Sequence, residues 1–248
     1  MTAIRAMIRA APRELKLIAG LFGVTLAIWG FVMLVATIGF PRIQSFDNRI
    51  LTSLRQPENL AVPIGPPWLL EAARAITALG SVTVLAFVVF SVAGYLLLEK
   101  RKGLLVFVLV STGGGVLLSN LMKGVFGRTR PGSVPHLVAV ASPSFPSGHS
   151  LLSAVVYLTL GALLARMAVD LTTKVYFVVL AALLTVLIGL SRIYLGVHYP
   201  TDVLGGWLVG LFWALVCGLV ARELQRRRVI KPEGVAPDQR VKRSISAA

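Results

Sequence analysis

The sequence predicts an all-α fold, an integral membrane bundle of six transmembrane helices. Of its 248 residues, 56% are hydrophobic and only 14% are charged, whereas a soluble domain carries about 25% charged residues. Six long runs contain no Asp, Glu, Lys, Arg or His, and a helix needs about 20 apolar residues to cross the hydrocarbon layer. Basic residues gather in alternate connections between these runs, as in multi-pass membrane proteins. The six runs are Leu17–Phe40, Ala75–Leu98, Gly103–Met122, Ser150–Ala165, Val175–Leu190 and Val203–Ala221.

The first run follows a basic N-terminal segment, residues 1–16, which we expect to lie in the cytoplasm. The apolar part of a cleaved signal peptide has about 7–15 residues. Because Leu17–Phe40 is longer than that, the sequence predicts a retained membrane anchor.

The connection between the first two spans, residues 41–74, contains five prolines. Since proline removes a backbone donor and fixes φ, we expect an irregular, partly extended loop here. The loop should end at Pro66-Pro67, because proline favours the first turn of a helix. Trp68 follows at a position that suits the membrane interface, where indole rings are enriched.

The fourth and fifth runs, Ser150–Ala165 and Val175–Leu190, are the shortest of the six. We expect both helices to continue at their outer ends into a polar pocket. In the sixth run, Gly206 and Gly210 have the spacing at which small residues let two helices approach closely, so we expect them to serve helix packing.

The distribution of lysine and arginine predicts the topology. Of the 25 basic residues, 17 lie in the N-terminal segment, two alternate connections and the tail from Arg222. Such residues mark the cytoplasmic side, which places both termini of this cell (inner) membrane protein in the cytoplasm. The six-span domain, residues 17–221, then carries segments 123–149 and 191–202 outside. The basic tail, 222–248, lacks apolar periodicity and is expected to be disordered.

The net charge of +15 would suggest nucleic acid in a soluble protein. Here the basic residues lie at the ends of membrane spans, so we expect no nucleic-acid partner. Contact between the basic tail and anionic lipid at the cytoplasmic face remains an alternative. The single cysteine, Cys217, has no partner for an internal disulfide.

Four polar clusters follow or precede spans three to six on the predicted outer side. Because a helix bundle brings such ends together, we expect one site. The clusters are Lys123 to Arg130-Pro131, Phe145 to His149, Ser191-Arg192, and His198 to Asp202.

Cations dominate these clusters, in which Asp202 is the one acidic residue, and such a concentration of positive charge is costly unless it faces an anion. Arginine's planar fork suits phosphate oxygens, and the start of a helix binds anions through its free N–H groups. The candidate phosphate-binding residues are Lys123, Arg130, Ser147, Gly148 and Arg192.

Two histidines predict the chemistry of this site. Asp202 stands four residues after His198, and a carboxylate on one imidazole nitrogen leaves the other nucleophilic. His149 has no carboxylate in its own segment, so it is free to act as a general acid.

Other side chains on this side are less informative. Arg128 is a possible accessory residue that contacts phosphate, a lipid headgroup or only solvent. A two-metal site needs several carboxylates, and most acidic residues on the outer side are far from the clusters in sequence. We therefore expect no metal and no cofactor. The acidic residues concerned are Asp47, Glu58, Glu71 and Asp202.

Taken in order, the clusters resemble the three-part signature of the type 2 phosphatidic acid phosphatase family, which includes the vanadium haloperoxidases. The first part, a lysine, six residues and Arg-Pro, corresponds to Lys123 through Arg130-Pro131. The second, Pro-Ser-Gly-His, is 146–149. The third corresponds to Ser191-Arg192, His198 and Asp202 with the family's spacing.

The resemblance implies a phosphatase that acts through a phosphohistidine. By it, His198 is the nucleophile, Asp202 orients it and His149 protonates the leaving group. The three cations bind phosphoryl oxygens, helped by Ser147 and Gly148. Six membrane spans argue against the soluble haloperoxidase branch.

The implied partner is a membrane lipid phosphate, a monoester or diphosphate of the undecaprenyl diphosphate, phosphatidic acid or phosphatidylglycerophosphate class. Two alternatives remain open at this point. One is a lipid phosphotransferase that uses the same intermediate with an acceptor other than water. The other is a non-catalytic lipid-binding membrane protein.

Overall fold

The structure is a computed structural model that describes residues 13–226, and helices dominate this part of the chain. A short antiparallel pair, β1 (Arg55–Gln56) and β2 (Asn59–Pro63), is the exception. The helices are α1 (Arg13–Thr37), α2 (Pro41–Ser53), α3 (Pro67–Ala78), α4 (Val82–Leu98), α5 (Lys102–Phe126), α6 (Gly148–Met167), α7 (Leu171–Tyr194) and α8 (Pro200–Arg226).

The predicted all-α membrane fold is confirmed. Helices α1, α5, α6, α7 and α8 are each long and apolar enough to cross a membrane, and α3 with α4 pass the same test as one pair bent by 47°. The described residues thus supply six spans when the bent pair counts as one.

The second span is broken, so the prediction of a continuous helix over Ala75–Leu98 was wrong. The chain leaves α3 after Ala78 and begins α4 at Val82. The Ser81 side chain caps the new helix by accepting a hydrogen bond from the Val84 N–H at 3.3 Å. Apolar composition does not reveal the break, because the residues on both sides are equally suited to lipid.

The connection 41–74 is more regular than the sequence predicted. Most of it forms α2, the β1–β2 hairpin and the start of α3. Prolines stand in the first turns of α2 and α3, where they start a helix rather than interrupt one. The expected helix start at Pro67 is confirmed.

Helix α6 forms the centre of the bundle and α1 its periphery. In the most apolar stretch of each helix, 56% of α6 is buried inside the protein against 11% of α1. The main apolar core packs around α6, with side chains from α4, α5 and α8. Its fully or nearly fully buried members include Leu85, Val108, Leu151, Val155 and Val209.

Helix α8 lies directly against the first turns of α6. A Cβ atom on Gly206 would lie 2.7 Å from the Ser147 carbonyl oxygen, and one on Gly210 would lie 2.7 Å from that of Leu151. Only glycine permits this approach, so the predicted role of both glycines in helix packing is confirmed. The approach also brings the start of α8 beside the start of α6, since the Ser147 N–H donates to the Asp202 carbonyl at 3.0 Å.

The ends of the helices agree with the predicted polar extensions. Helix α6 begins at Gly148 and α7 continues to Tyr194, beyond both apolar runs. At the other end of the chain, α8 continues as helix through Arg226. Residues 1–12 and 227–248, with most of the predicted cytoplasmic segment and of the tail expected to be disordered, lie outside the described residues.

Candidate active site

The predicted polar clusters meet at one cavity of about 240 Å³ at the ends of α3, α5, α6 and α7. None of the side chains that line it is acidic. The lining includes the predicted residues Lys123, Arg130, Gly148, His149, Arg192 and His198, together with Thr77, residues 138–141 and Ser142.

Two of the cations converge on a single hydroxyl group. Lys123 lies in the last turn of α5, and its Nζ donates to the Ser142 Oγ at 2.7 Å and to the Pro143 carbonyl at 3.3 Å. Arg130 donates from Nη2 to the same Oγ at 3.3 Å and from Nε to the Ser142 carbonyl at 2.7 Å. Two donors aimed at one oxygen are an arrangement that also fits a phosphoryl oxygen.

The third cation, Arg192, is 4% exposed in the last turn of α7. Its Nη1 donates to the Thr77 Oγ1 at 3.0 Å. Its Nε has no hydrogen-bond partner among the described residues. A buried guanidinium without a carboxylate is unfavourable, which makes an anion in the cavity a favourable partner.

His198 is 1% exposed and stands between Arg130 and Asp202. His198 lines the cavity, its Nε2 lies 3.3 Å from the Arg130 Nη1, and its Nδ1 lies 3.4 Å from the Asp202 Oδ2. The distance from Nδ1 to Oδ2 would suit an ion pair only with a protonated ring, and its geometry is not that of a hydrogen bond. Burial lowers the pKa of His198 to about 4, with Arg130 and Arg192 adding to the effect and Asp202 opposing it. The imidazole is therefore neutral near pH 7.

Arg128 forms ion pairs with Asp202 and Asp47 and does not line the cavity. Its Nη1 donates to the Asp202 Oδ1 at 2.6 Å and its Nη2 to the Asp47 Oδ2 at 3.1 Å. The Asp202 Oδ2 accepts from the Tyr199 N–H at 2.9 Å and from the Ser144 hydroxyl. Arg128 was expected to contact phosphate, a headgroup or solvent, but the structure places it between two fully buried carboxylates.

Asp47 joins the outer helix α2 to this network. It is completely buried, and it accepts hydrogen bonds from the Thr201 N–H at 3.1 Å and from the Thr201 hydroxyl at 2.5 Å. Burial raises the pKa of Asp47, while Thr201 and Arg128 counteract this. Sequence reasoning missed this role, because Asp47 lies far from the motifs in a segment predicted to be an irregular loop.

The start of α6 offers backbone N–H groups to the cavity, and the Ser147 side chain is turned away from it. Ser147 is fully buried, and its Oγ accepts from the Ser150 hydroxyl at 3.0 Å instead of lining the cavity. This serine caps the helix, which explains why its side chain does not reach a ligand. Gly148 lines the cavity, and a Cβ there would lie 3.6 Å from the Lys123 Nζ. The N–H groups of the first turn have no partner within a helix, so they suit an anion.

His149 follows on the same turn and lines the cavity. Its half-buried imidazole forms no hydrogen bond with another described residue, so both ring nitrogens stay available. No group of three or more His, Cys, Asp or Glu within residues 13–226 stands close enough to hold a metal ion.

Comparisons with known proteins show the family of this chain. The family model of the PAP2 superfamily matches residues 104–226. Phosphatidylglycerophosphatase B of Bacillus subtilis (strain 168) is 38% identical over 184 residues, which are 73% of this chain and 86% of that protein. An undecaprenyl-diphosphatase of Sulfolobus acidocaldarius is 30% identical over 130 residues, which are 50% of this chain and 59% of that protein. The crystal structure of a transmembrane PAP2 type phosphatidylglycerolphosphate phosphatase from Bacillus subtilis superposes with a TM-score of 0.74 at 31% identity, covering 83% of this chain and 98% of that one.

Proposed function

This chain belongs to the PAP2 superfamily and is a membrane phosphatase, and on that premise we propose that it hydrolyses lipid phosphate monoesters or diphosphates. The reaction passes through a phosphohistidine intermediate at the extracytoplasmic face of the cell membrane. One observation carries the proposal. Three cations and a helix start surround a cavity that has no acidic lining and contains two histidines. That arrangement suits a phosphoryl group with two negative charges better than a diester with one.

His198 is the nucleophile in this proposal. Its neutral Nε2 faces the cavity while Asp202 holds the other side of the ring. The Nε2 lone pair forms the N–P bond as the P–O bond to the leaving group breaks. The charge that develops on the phosphoryl oxygens is met by Lys123, Arg130 and Arg192, since donors fixed in advance stabilise a transition state.

His149 serves as the general acid and then as the general base. The negative charge of a bound phosphate favours the protonated form of His149. The imidazolium gives its proton to the leaving oxygen. In the second step it takes a proton from the water that attacks the phosphohistidine. The proton balance closes without a metal.

The membrane setting supports a lipid substrate. A second cavity of about 230 Å³ lies between α4, α5 and α6 and has an almost wholly apolar lining. It begins near the active site, because it is lined by Val82 at the start of α4 and by Leu152 one turn after His149. A hydrocarbon chain in this groove would leave the phosphate at the cations.

The substrate class follows from the charges together with the relatives. Proteins similar to this chain are named as phosphatases of phosphatidylglycerophosphate and undecaprenyl diphosphate. We therefore propose activity on both, with discrimination between tails kept low because each methylene contributes only about 0.8 kcal/mol.

The test is phosphate release by purified protein in mixed micelles, with phosphatidylglycerophosphate, phosphatidic acid and undecaprenyl diphosphate as substrates. Phosphatidylglycerol and glycerol phosphate serve as the diester and the water-soluble controls. We expect release from the lipid monoesters and the diphosphate in the presence of chelator, and much lower kcat/KM for both controls. Equal values for glycerol phosphate and the lipids would refute a lipid substrate. Phosphate that appears on a second lipid rather than in water would favour a phosphotransferase.

The intermediate is tested with phosphorus-labelled substrate. We expect an acid-labile label on the wild-type protein and none on His198→Ala, which should lose turnover. His149→Ala should keep slower chemistry, because general acid catalysis contributes about 10²–10⁴-fold. Full turnover by His198→Ala would contradict the proposed mechanism.

The face of the membrane is tested with a single cysteine. Gly132 is exposed in the loop between α5 and α6, with no atom within 4 Å of the place a Cβ would take. In a Cys217→Ser background, we expect Gly132→Cys to react with an impermeant thiol reagent added outside intact cells. Labelling only after the membrane is opened would reverse the topology.

A further inference from the structure

We propose that Thr77, on the outer half of the broken span, donates a hydrogen bond to the phosphoryl group of the substrate. This inference rests on the proposed function and adds a residue outside both motif segments. Thr77 lies in the last turns of α3 and lines the cavity that holds the three cations. It is 7% exposed, so its hydroxyl has few partners to choose from.

The Thr77 hydroxyl differs from those of most threonines beyond the first turn of a helix, Thr159 being the other exception among the described residues. Five of them donate their hydroxyl hydrogen to a backbone carbonyl one turn earlier, the usual arrangement for threonine in a helix. Thr77 makes no such bond among the described residues, although α3 offers the same carbonyl. The five are Thr25, Thr37, Thr52, Thr112 and Thr185.

The oxygen of Thr77 is instead occupied as an acceptor. Arg192 donates from Nη1 to the Thr77 Oγ1 at 3.0 Å, and arginine has no acceptor to offer in return. The hydroxyl hydrogen is therefore free to turn toward the cavity. A phosphoryl oxygen bound by Arg192 would lie beside it and supply the missing acceptor.

Contacts at the break in the second span hold Thr77 beside the cavity. Tyr157 of α6 donates its hydroxyl to the Leu79 carbonyl at 2.8 Å, which holds the chain where α3 ends. Gly80 packs so closely that a Cβ there would lie 2.5 Å from the Ile188 Cγ2 and 3.3 Å from the His149 Cδ2. The end of α3 is thus held against both α6 and α7, with Thr77 facing the substrate side.

A hydroxyl has an advantage at this position over a fourth cation. Lys123, Arg130 and Arg192 already concentrate positive charge in a partly buried space, and another charge would add repulsion. A neutral donor adds a hydrogen bond to an anion without that cost. It also keeps the Arg192 fork in one orientation, which favours bidentate contact with phosphate.

The experiment compares Thr77→Val, which removes the hydroxyl at constant shape, with Thr77→Ser, which retains it. Thr185→Val is the matched control, since Thr185 is equally buried in α7 but donates to the Ala181 carbonyl. Binding of inorganic phosphate and of vanadate to the purified proteins is measured by calorimetry. We expect Thr77→Val to weaken both by about tenfold or more, as for a hydrogen bond to a charged group, with Thr77→Ser and the control within about twofold of wild type. Unchanged phosphate and vanadate affinity in Thr77→Val would overturn the proposal.

A second comparison separates direct contact from an effect through Arg192. In an Arg192→Lys background, which lacks the fork but keeps a cation, we expect Thr77→Val to weaken phosphate binding by a similar further factor. No further loss there would mean that Thr77 only orients Arg192, and the proposed contact would be wrong. Anion binding does not depend on lipid turnover. A wild-type protein that hydrolyses no lipid phosphate would therefore count against the proposed function, whereas the Thr77 variants would still test this contact.

Discussion

Arg128 and Arg130 stand two residues apart in one loop, yet their surroundings are opposite. The guanidinium of Arg128 lies between the carboxylates of Asp47 and Asp202, both fully buried. That of Arg130 faces the cavity, where it contacts the carbonyls of Ser142 and Val197, the Ser142 hydroxyl and the His198 Nε2. The first cation is neutralised by the protein itself, and the second is not.

The difference separates two tasks within one signature motif. A charge compensated inside the fold contributes to stability and to the position of Asp202 behind His198. A charge left uncompensated beside a cavity favours a bound anion instead. We therefore expect substitution of Arg128 to lower mainly the stability of the protein and substitution of Arg130 to lower mainly its activity. The following substitutions test that expectation.

The largest effect should come from Arg128→Ala. Its removal leaves two buried carboxylates without their cation, and breaking a buried pair in this way costs about 3–5 kcal/mol. We expect a clear fall in the thermal unfolding midpoint of the detergent-solubilised protein, together with lower activity. Arg49→Ala, an exposed arginine on α2, is the control and should stay within about 0.5 kcal/mol of wild type. An unchanged midpoint in Arg128→Ala would erase the distinction between the two sites.

Arg130→Ala should show the reverse pattern. Loss of one donor to a developing phosphoryl charge typically lowers kcat by about 10²–10³-fold. Because Arg130 forms no ion pair with a carboxylate among the described residues, its removal leaves no buried charge there without a partner, and we expect the unfolding midpoint to change little. The measurements are kcat/KM on a lipid phosphate and the midpoint of the same preparation. A large fall in the midpoint with modest loss of activity would contradict the assignment.

Asp47→Asn should have a smaller effect on stability. Burial raises the pKa of Asp47, so the cost of desolvation offsets much of its pairing with Arg128. We expect a loss of about 1 kcal/mol and a modest fall in kcat/KM, since Asp202 keeps its own bond to Arg128. Glu58→Gln is the control, because it also removes one negative charge but at an exposed position. A loss as large as that of Arg128→Ala would mean that Asp47, not Asp202, is the main partner.

The smallest effect concerns the pH dependence of turnover. With the pKa of His198 lowered to about 4, the nucleophile gains a proton only as the pH falls toward 4, well below the usual range near 6.5. Arg130 lowers this pKa and Asp202 raises it. The acid limb of kcat/KM should therefore move to higher pH in Arg130→Ala and to lower pH in Asp202→Asn, as followed from about pH 3 to 8 with each variant's residual activity. Shifts in the opposite directions would contradict the effects assigned to Arg130 and Asp202 on the pKa of His198.

Several features were predictable because they depend on local sequence. Uncharged runs of sufficient length can be satisfied in lipid only as helices, so the spans followed from composition. The motif residues Lys123, Arg130, His149, Arg192 and His198 do meet at one cavity. They could be grouped in advance because the predicted topology puts each of them near the same side of the membrane.

The tertiary structure decided what each of these residues faces. Ser147 and Arg128 both lie within the motif segments, but Ser147 caps α6 and Arg128 binds two carboxylates. Asp47 and Thr77 lie outside the motifs, yet one supports Asp202 through Arg128 and the other contacts Arg192. Sequence patterns describe the period and composition of single segments, and these contacts join segments more than 70 residues apart. Which side of Asp202 an arginine occupies, and where a span breaks, depends on how helices pack, because packing alone determines which buried polar groups find partners.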